Sequence, residues 1–104
     1  MKQFDVYTNT NSDTNQAYPY FVDVQTELLD VLKSRVVIPL TTVLPDKGLP
    51  NNICPKVEIN GEQYYLLTYQ ITTVSSSFLR KHESSLLLNR TDIINSLDFL
   101  ISGI

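Results

Sequence analysis

Hydrophobic and polar positions alternate from the start of the chain. Phe4, Val6 and Thr8 fall on one side of an extended backbone and Gln3, Asp5 and Tyr7 on the other, which predicts a half-buried strand over residues 3–8. Asn9 to Gln16 is wholly polar, and side chains of this type bond their own backbone, so a long exposed loop is expected. Tyr20 to Val24 resumes as a strand. Between Gln25 and Lys33, the spacing of Leu28, Leu29 and Leu32 suits a short helical turn, with partial exposure of Leu28-Leu29 as the alternative. Arg35 to Leu40 reads as an apolar strand, and Pro39 should restrict it to an edge or a strand end. Pro45 to Asn52 is turn chemistry throughout.

The strongest local signal is Asn60-Gly61, flanked by Lys56–Ile59 and Gln63–Leu67, which predicts a type I′ hairpin. The second strand is expected to run to about Tyr69, with a further extended piece from Gln70 to Val74. After Ser75-Ser76-Ser77 the strand pattern lapses. From Thr91 to Ile104 the apolar residues Ile93, Ile94, Leu97, Leu100, Ile101 and Ile104 take helical spacing. Asn89 or Thr91 is positioned to cap this helix, Asp92 favours the positive end of its dipole, and Gly103 should end it. The pattern therefore predicts a mainly β, antiparallel protein closed by one C-terminal helix, in a single domain over residues 1–104.

Composition narrows the function. A chain of 104 residues suits one domain, and its 42% apolar and 18% charged residues are those of an ordinary globular protein. The net charge of -3 argues against nonspecific binding to nucleic acid, which relies on lysines and arginines meeting phosphates. The basic run Arg80-Lys81-His82 leads straight into Glu83 and reads as a solvated loop. A lone cysteine, Cys54, leaves no intrachain disulfide, and the N-terminus carries no apolar run of signal length. No window reaches the roughly 20 apolar residues of a membrane span. A cytoplasmic protein without membrane association is expected.

Catalytic chemistry is sparse. His82 and Cys54 are the sole residues of their kinds, so no Cys-His metal cluster can be written. Sequence distance leaves a Cys54–His82 nucleophile pair open, since such pairs meet in space. Cys54 nonetheless precedes Pro55 at a strand entrance, where a structural thiol is the commoner occupant. Three glycines cannot furnish a phosphate-binding loop. Asp23, Glu27 and Asp30 follow a strand and could cluster, although solubilising surface charges are the commoner case. No catalytic residue, cofactor or metal is expected, and the residues by themselves describe a β-rich binding domain.

The string Pro19-Tyr20-Phe21-Val22-Asp23-Val24-Gln25-Thr26-Glu27-Leu28-Leu29-Asp30, preceded by Gln3-Phe4-Asp5-Val6-Tyr7, resembles the opening of CcdB toxins. Arg35-Val36-Val37-Ile38-Pro39-Leu40, Pro55 to Glu62 and the final Gly103-Ile104 are similar to the same family, in order and at family length. The resemblance implies an SH3-like antiparallel barrel or sheet with a C-terminal α-helix, assembled as a homodimer with the two helices near the twofold axis. It implies a toxin of a type II toxin–antitoxin system that binds the DNA gyrase A subunit, traps the gyrase–DNA cleavage complex and blocks replication. It further implies neutralisation by a CcdA-type antitoxin, with operator DNA bound only through the toxin–antitoxin complex. Carried over by position, the gyrase-binding residues are Leu28, Leu29, Asp98, Ile101, Ser102, Gly103 and Ile104.

One departure bears on that surface. Well-known members carry a tryptophan before the Gly-Ile end, where this chain has Ser102, and tryptophan is a frequent interface anchor while serine is not. Residues 77–89 also match the family pattern poorly. Two other functions stay compatible with the fold class: an mRNA-cleaving toxin of the MazF or Kid type, and a non-toxic interaction module. The acidic balance counts against the first.

Overall fold

The computed structural model describes residues 1–44, 46–50 and 52–103. Among them, seven strands form one antiparallel sheet: β1 (Asp5–Thr8), β2 (Tyr20–Asp23), β3 (Ser34–Thr41), β4 (Lys56–Ile59), β5 (Glu62–Leu66), β6 (Thr72–Ser75) and β7 (His82–Ser85), followed by helix α1 (Arg90–Ser102). The order is β4-β5-β3-β2-β1-β7, with β6 also pairing β3. The β4–β5 turn has the geometry that Asn-Gly favours, with φ of 53° at Asn60 and 82° at Gly61. Asn60 Nδ2 then donates to Glu83 Oε1 at 2.9 Å, which ties this hairpin to β7 at the other end of the sheet order. The strands make a half-barrel of the SH3-like kind.

The long strand β3 organises the sheet. Its first half, Ser34 to Val37, pairs with β6, and Leu40 and Thr41 pair with β5, while β2 lies along its other side. Pro39 therefore sits inside a central strand and not at an edge or end as its ring suggested. The reason is local. The Pro39 carbonyl accepts from the Leu67 N–H at 2.9 Å, so its missing donor faces the same side, where β6 has ended and β5 has not yet begun to pair.

The main core gathers Phe4, Val6, Val22, Ile38, Leu40, Ile59, Leu66, Leu86 and the helix residue Ile93, all buried. β1 is covered on both faces, where alternation predicted one. Tyr7 packs with Val37 and Leu79 beneath half-buried Phe21, Val74 and Phe78, because the segment after β6 folds across the outer face. Asn9, expected in an exposed loop, is buried and donates to the Tyr18 carbonyl at 2.8 Å. β5 stops at Leu66, earlier than expected, and a 3-10 turn over Thr68–Gln70 takes its place. β7 was read as solvated loop because His-Glu-Ser-Ser has no apolar alternation. Its pairing comes from β1, across a register shift between Val6 and Tyr7, with His82 Nε2 3.4 Å from Asp5 Oδ1.

Asn89 stands at the N-cap of α1 but makes no side-chain capping bond. Gly103 closes the other end in the left-handed region at φ 74°, as expected of it. Ile93, Ile94 and Leu97 pack on the main core. Phe99 and Leu100 pack with buried Ile53, Cys54 and Leu67. A polar pin accompanies them: Ser96 Oγ donates to the Ile93 carbonyl at 2.7 Å and lies 2.9 Å from Thr68 Oγ1, both side chains being fully buried.

Three tyrosines hold their phenol protons beyond the usual range. Burial raises Tyr7, and raises Tyr69 to about 12 together with Asp46, whose carboxylate accepts from the Tyr69 hydroxyl at 2.7 Å. Burial and Glu62 raise Tyr64 further still. Above pH 10 the unfolded chain releases these protons while the native chain keeps them, so stability falls as pH rises from about 10 to 12. Phenolate absorbance at 295 nm should rise later in native protein than in urea-unfolded protein over that window. Coincident titrations would show that these hydroxyls are not held by the fold.

Candidate functional site

The outward residues of α1 define the first part of the site. Of the apolar helix positions, Ile93, Ile94, Leu97 and Leu100 turn inward, whereas Ile101 is 82% exposed. Asp98 and Ser102 are exposed on the same stretch, and the Ser102 hydroxyl donates back to the Asp98 carbonyl at 2.7 Å. The Gly103 N–H reaches the Phe99 carbonyl at 2.9 Å, so the helix end is closed and ordered up to that residue. The helix has no basic residue in its last turn, and Asp98 lies toward the negative end of its dipole, where a carboxylate gains nothing for the fold. Ile104 lies outside the described residues.

The second part is the connection between β2 and β3. Thr26 Oγ1 accepts from the Leu28 N–H, and a 3-10 turn over Glu27–Leu29 follows. Leu28 is 89% exposed and Leu29 46%. A buried ion cluster holds this connection from below. Arg35, with 1% of its side chain exposed, donates through Nε to Asp23 Oδ2 at 2.9 Å and through Nη1 to Asp30 Oδ1 at 2.9 Å. Asp23 also accepts from the Gln25 N–H, and the Gln25 side chain links the Leu29 carbonyl to the Val36 N–H. Burial pushes the Asp23 carboxyl up, and the Arg35 guanidinium and the Gln25 N–H hold it back. Asp23 is thus a buried structural partner of Arg35 rather than a solubilising surface charge, whereas Asp30 pairs with the same guanidinium from the surface, with half of its side chain in solvent. Glu27 alone of that trio points into solvent without a partner role in the cluster.

The two parts remain separate within one chain: among the described residues no hydrogen bond, ion pair or hydrophobic cluster joins residues 26–32 to α1. Leu87 and Leu88, 58% and 100% exposed just before α1, add apolar surface that the sequence pattern did not single out. Phe99 and Leu100 are half-buried alongside Tyr18, Leu44, Leu49 and Tyr69, which leaves an apolar face beside the helix.

The residues weighed for catalysis lie elsewhere. Cys54 is buried against Ile53 and Leu67, and burial pushes its thiol up, away from nucleophilic character. His82 stands edge-on to Tyr7 and beside Asp5 on the sheet. A cleft of about 550 Å³ is lined by Leu44, Leu49, Cys54, Lys56, Tyr65 and Asp92, and His82 is not among its described lining residues. Among the described residues, no helix is long and apolar enough to cross a membrane.

The chain matches the family model described as CcdB protein over residues 3–103.

The ion cluster and the exposed apolar residues should separate cleanly in stability measurements. Arg35→Ala leaves Asp23 buried and unpaired, and urea melts should register a loss of about 3–5 kcal/mol. Leu28→Ser and Ile101→Ser should each stay within about 0.5 kcal/mol of the parent. A large loss in either serine variant would make that side chain part of the core.

Proposed function

Because the chain belongs to the CcdB family, the toxins of toxin–antitoxin systems, we propose that it is a noncatalytic poison of DNA gyrase. In this reading it binds the gyrase A subunit, traps the cleaved DNA–gyrase complex and blocks replication in the cytoplasm. Leu28, Leu29, Asp98, Ile101, Ser102, Gly103 and Ile104 form the contact. The observation that carries the reading is the match to the CcdB family over residues 3–103; Ile101, 82% exposed on a helix whose other apolar residues turn inward, is free to serve the contact it implies.

The protein acts as a homodimer, and the apolar face of Tyr18, Leu44, Leu49, Tyr69, Phe99 and Leu100 is the surface best suited to the twofold contact. Two helix ends brought together there present a self-complementary wedge to a symmetric enzyme. A CcdA-type antitoxin neutralises the toxin and forms with it the complex that represses their operon.

Supercoiling and DNA cleavage by purified gyrase with ATP test the proposal. The intact chain should leave cleaved DNA trapped, and a chain lacking Ser102-Gly103-Ile104 should not. Ser102→Trp should tighten gyrase binding by about tenfold or more, as a buried aromatic anchor does. Gyrase untouched by the intact chain, with RNA cleaved instead, would overturn the reading in favour of a ribonuclease toxin.

A further inference from the structure

We propose that Val31 and Leu32 belong to the partner-contact surface and, with Leu28 and Leu29, form a preformed apolar knuckle that enters an apolar groove of the gyrase A subunit. The proposal rests on the gyrase reading above and extends it to residues that reading does not include.

Leu28 and Val31 are each 89% exposed, and Leu29 and Leu32 each 46%. Single exposed apolar side chains are ordinary, but four within five consecutive positions are not. The fifth residue of that run, Asp30, keeps half of its side chain in solvent and accepts from Arg35, so it ties the run to β3 while the aliphatic side chains around it stay exposed.

The backbone that carries them is fixed. The Leu29 N–H reaches the Thr26 carbonyl at 3.1 Å, the Asp30 N–H the Glu27 carbonyl at 3.1 Å, and the Leu32 N–H the Leu29 carbonyl at 3.0 Å. The Gln25 amide donates to the Leu29 carbonyl, and Arg35 anchors Asp30 to β3. The N-terminal ammonium also approaches Asp30 Oδ1, at 3.8 Å. A contact element already ordered in this way loses little conformational entropy on docking.

The occupant follows from continuity. Val31 and Leu32 lie in the same turn as Leu28 and Leu29, so a partner surface that receives the leucines meets the two later residues as well. The apolar area they add also falls in a chain whose helix end carries Ser102, a residue with little surface to bury. Burying two more aliphatic side chains is enough to carry a large share of the affinity that an aromatic anchor would supply.

Binding of the full chain to immobilised gyrase A subunit, paired with urea melts, tests this. The V31S/L32S pair should bind at least about tenfold more weakly, chiefly through faster dissociation, with an unchanged melt. The apolar pair V31L/L32I should stay within about threefold of the parent. If L28S/L29S weakens binding while V31S/L32S leaves it unaltered, the inference falls and the gyrase reading stands. If V31L/L32I loses as much as V31S/L32S, loop shape rather than apolar contact is responsible, and the inference is overturned. If the intact chain does not bind, both fall together.

Discussion

A guanidinium withdrawn from water must be neutralised where it stands, or the fold around it does not survive. Arg35 meets that demand with Asp23 on β2 and Asp30 at the end of the following turn, and Gln25 fills the space between them with bonds to two backbone segments. Desolvating these charges is expensive, and hydrophobic residues of similar volume would stabilise the centre as well or better. The arrangement instead fixes direction. It sets where β2 ends, where β3 begins and how the backbone between them is coiled. Each of those choices bears on residues that never touch Arg35.

β3 transmits the constraint. Its N-terminal half, where Arg35 lies, pairs with β6, and its C-terminal half pairs with β5. The partner changes at Pro39, a residue that has no donor to waste in the gap. β5 then continues into the 3-10 turn that holds Thr68 against Ser96, so the helix is registered on the sheet by a buried hydrogen bond as well as by Ile93 and Leu97. Rotation of α1 by one residue would bury Ile94 or Leu97 differently and would also break the Thr68–Ser96 contact. The direction in which Ile101 points is therefore decided several elements away, along a path of packed strands.

Much of this could be read from residues alone, and what could not has physical causes. The Asn60-Gly61 hairpin, the helix and its Gly103 end follow from local rules, and those elements stand where the pattern put them. Asp23 was misread because a carboxylate buried for an arginine looks in sequence like any surface charge; the signal lies in its pairing with Arg35, twelve positions away. β7 was missed because an edge strand with polar residues takes its identity from β1 and not from its own composition. Of the site, Leu28, Leu29, Asp98, Ile101, Ser102 and Gly103 could be named from family resemblance and prove exposed. The exposure of Val31 and Leu32 could not be read, since apolar residues in a sequence carry no mark of which way they face.

On the proposed reading the protein acts by occupying its target, so it has only shape and surface to work with, and both are best ordered before the target arrives. The apolar residues left in water cost the free chain some solubility, and the ion cluster beneath the β2–β3 turn costs it desolvation energy. Neither expense improves the core, which is complete without them. They become intelligible together on that reading: Arg35 pairs with Asp23 and Asp30 and so holds the backbone of the turn on which Leu28, Leu29, Val31 and Leu32 stand exposed. The helix end solves the same problem differently, with a glycine cap and a serine hydroxyl turned onto its own backbone. A helix end that spends Ser102 on self-capping is rigid but offers little area, whereas the turn offers area and borrows its rigidity from Arg35. On that reading, the turn supplies contact area that a serine at position 102 does not.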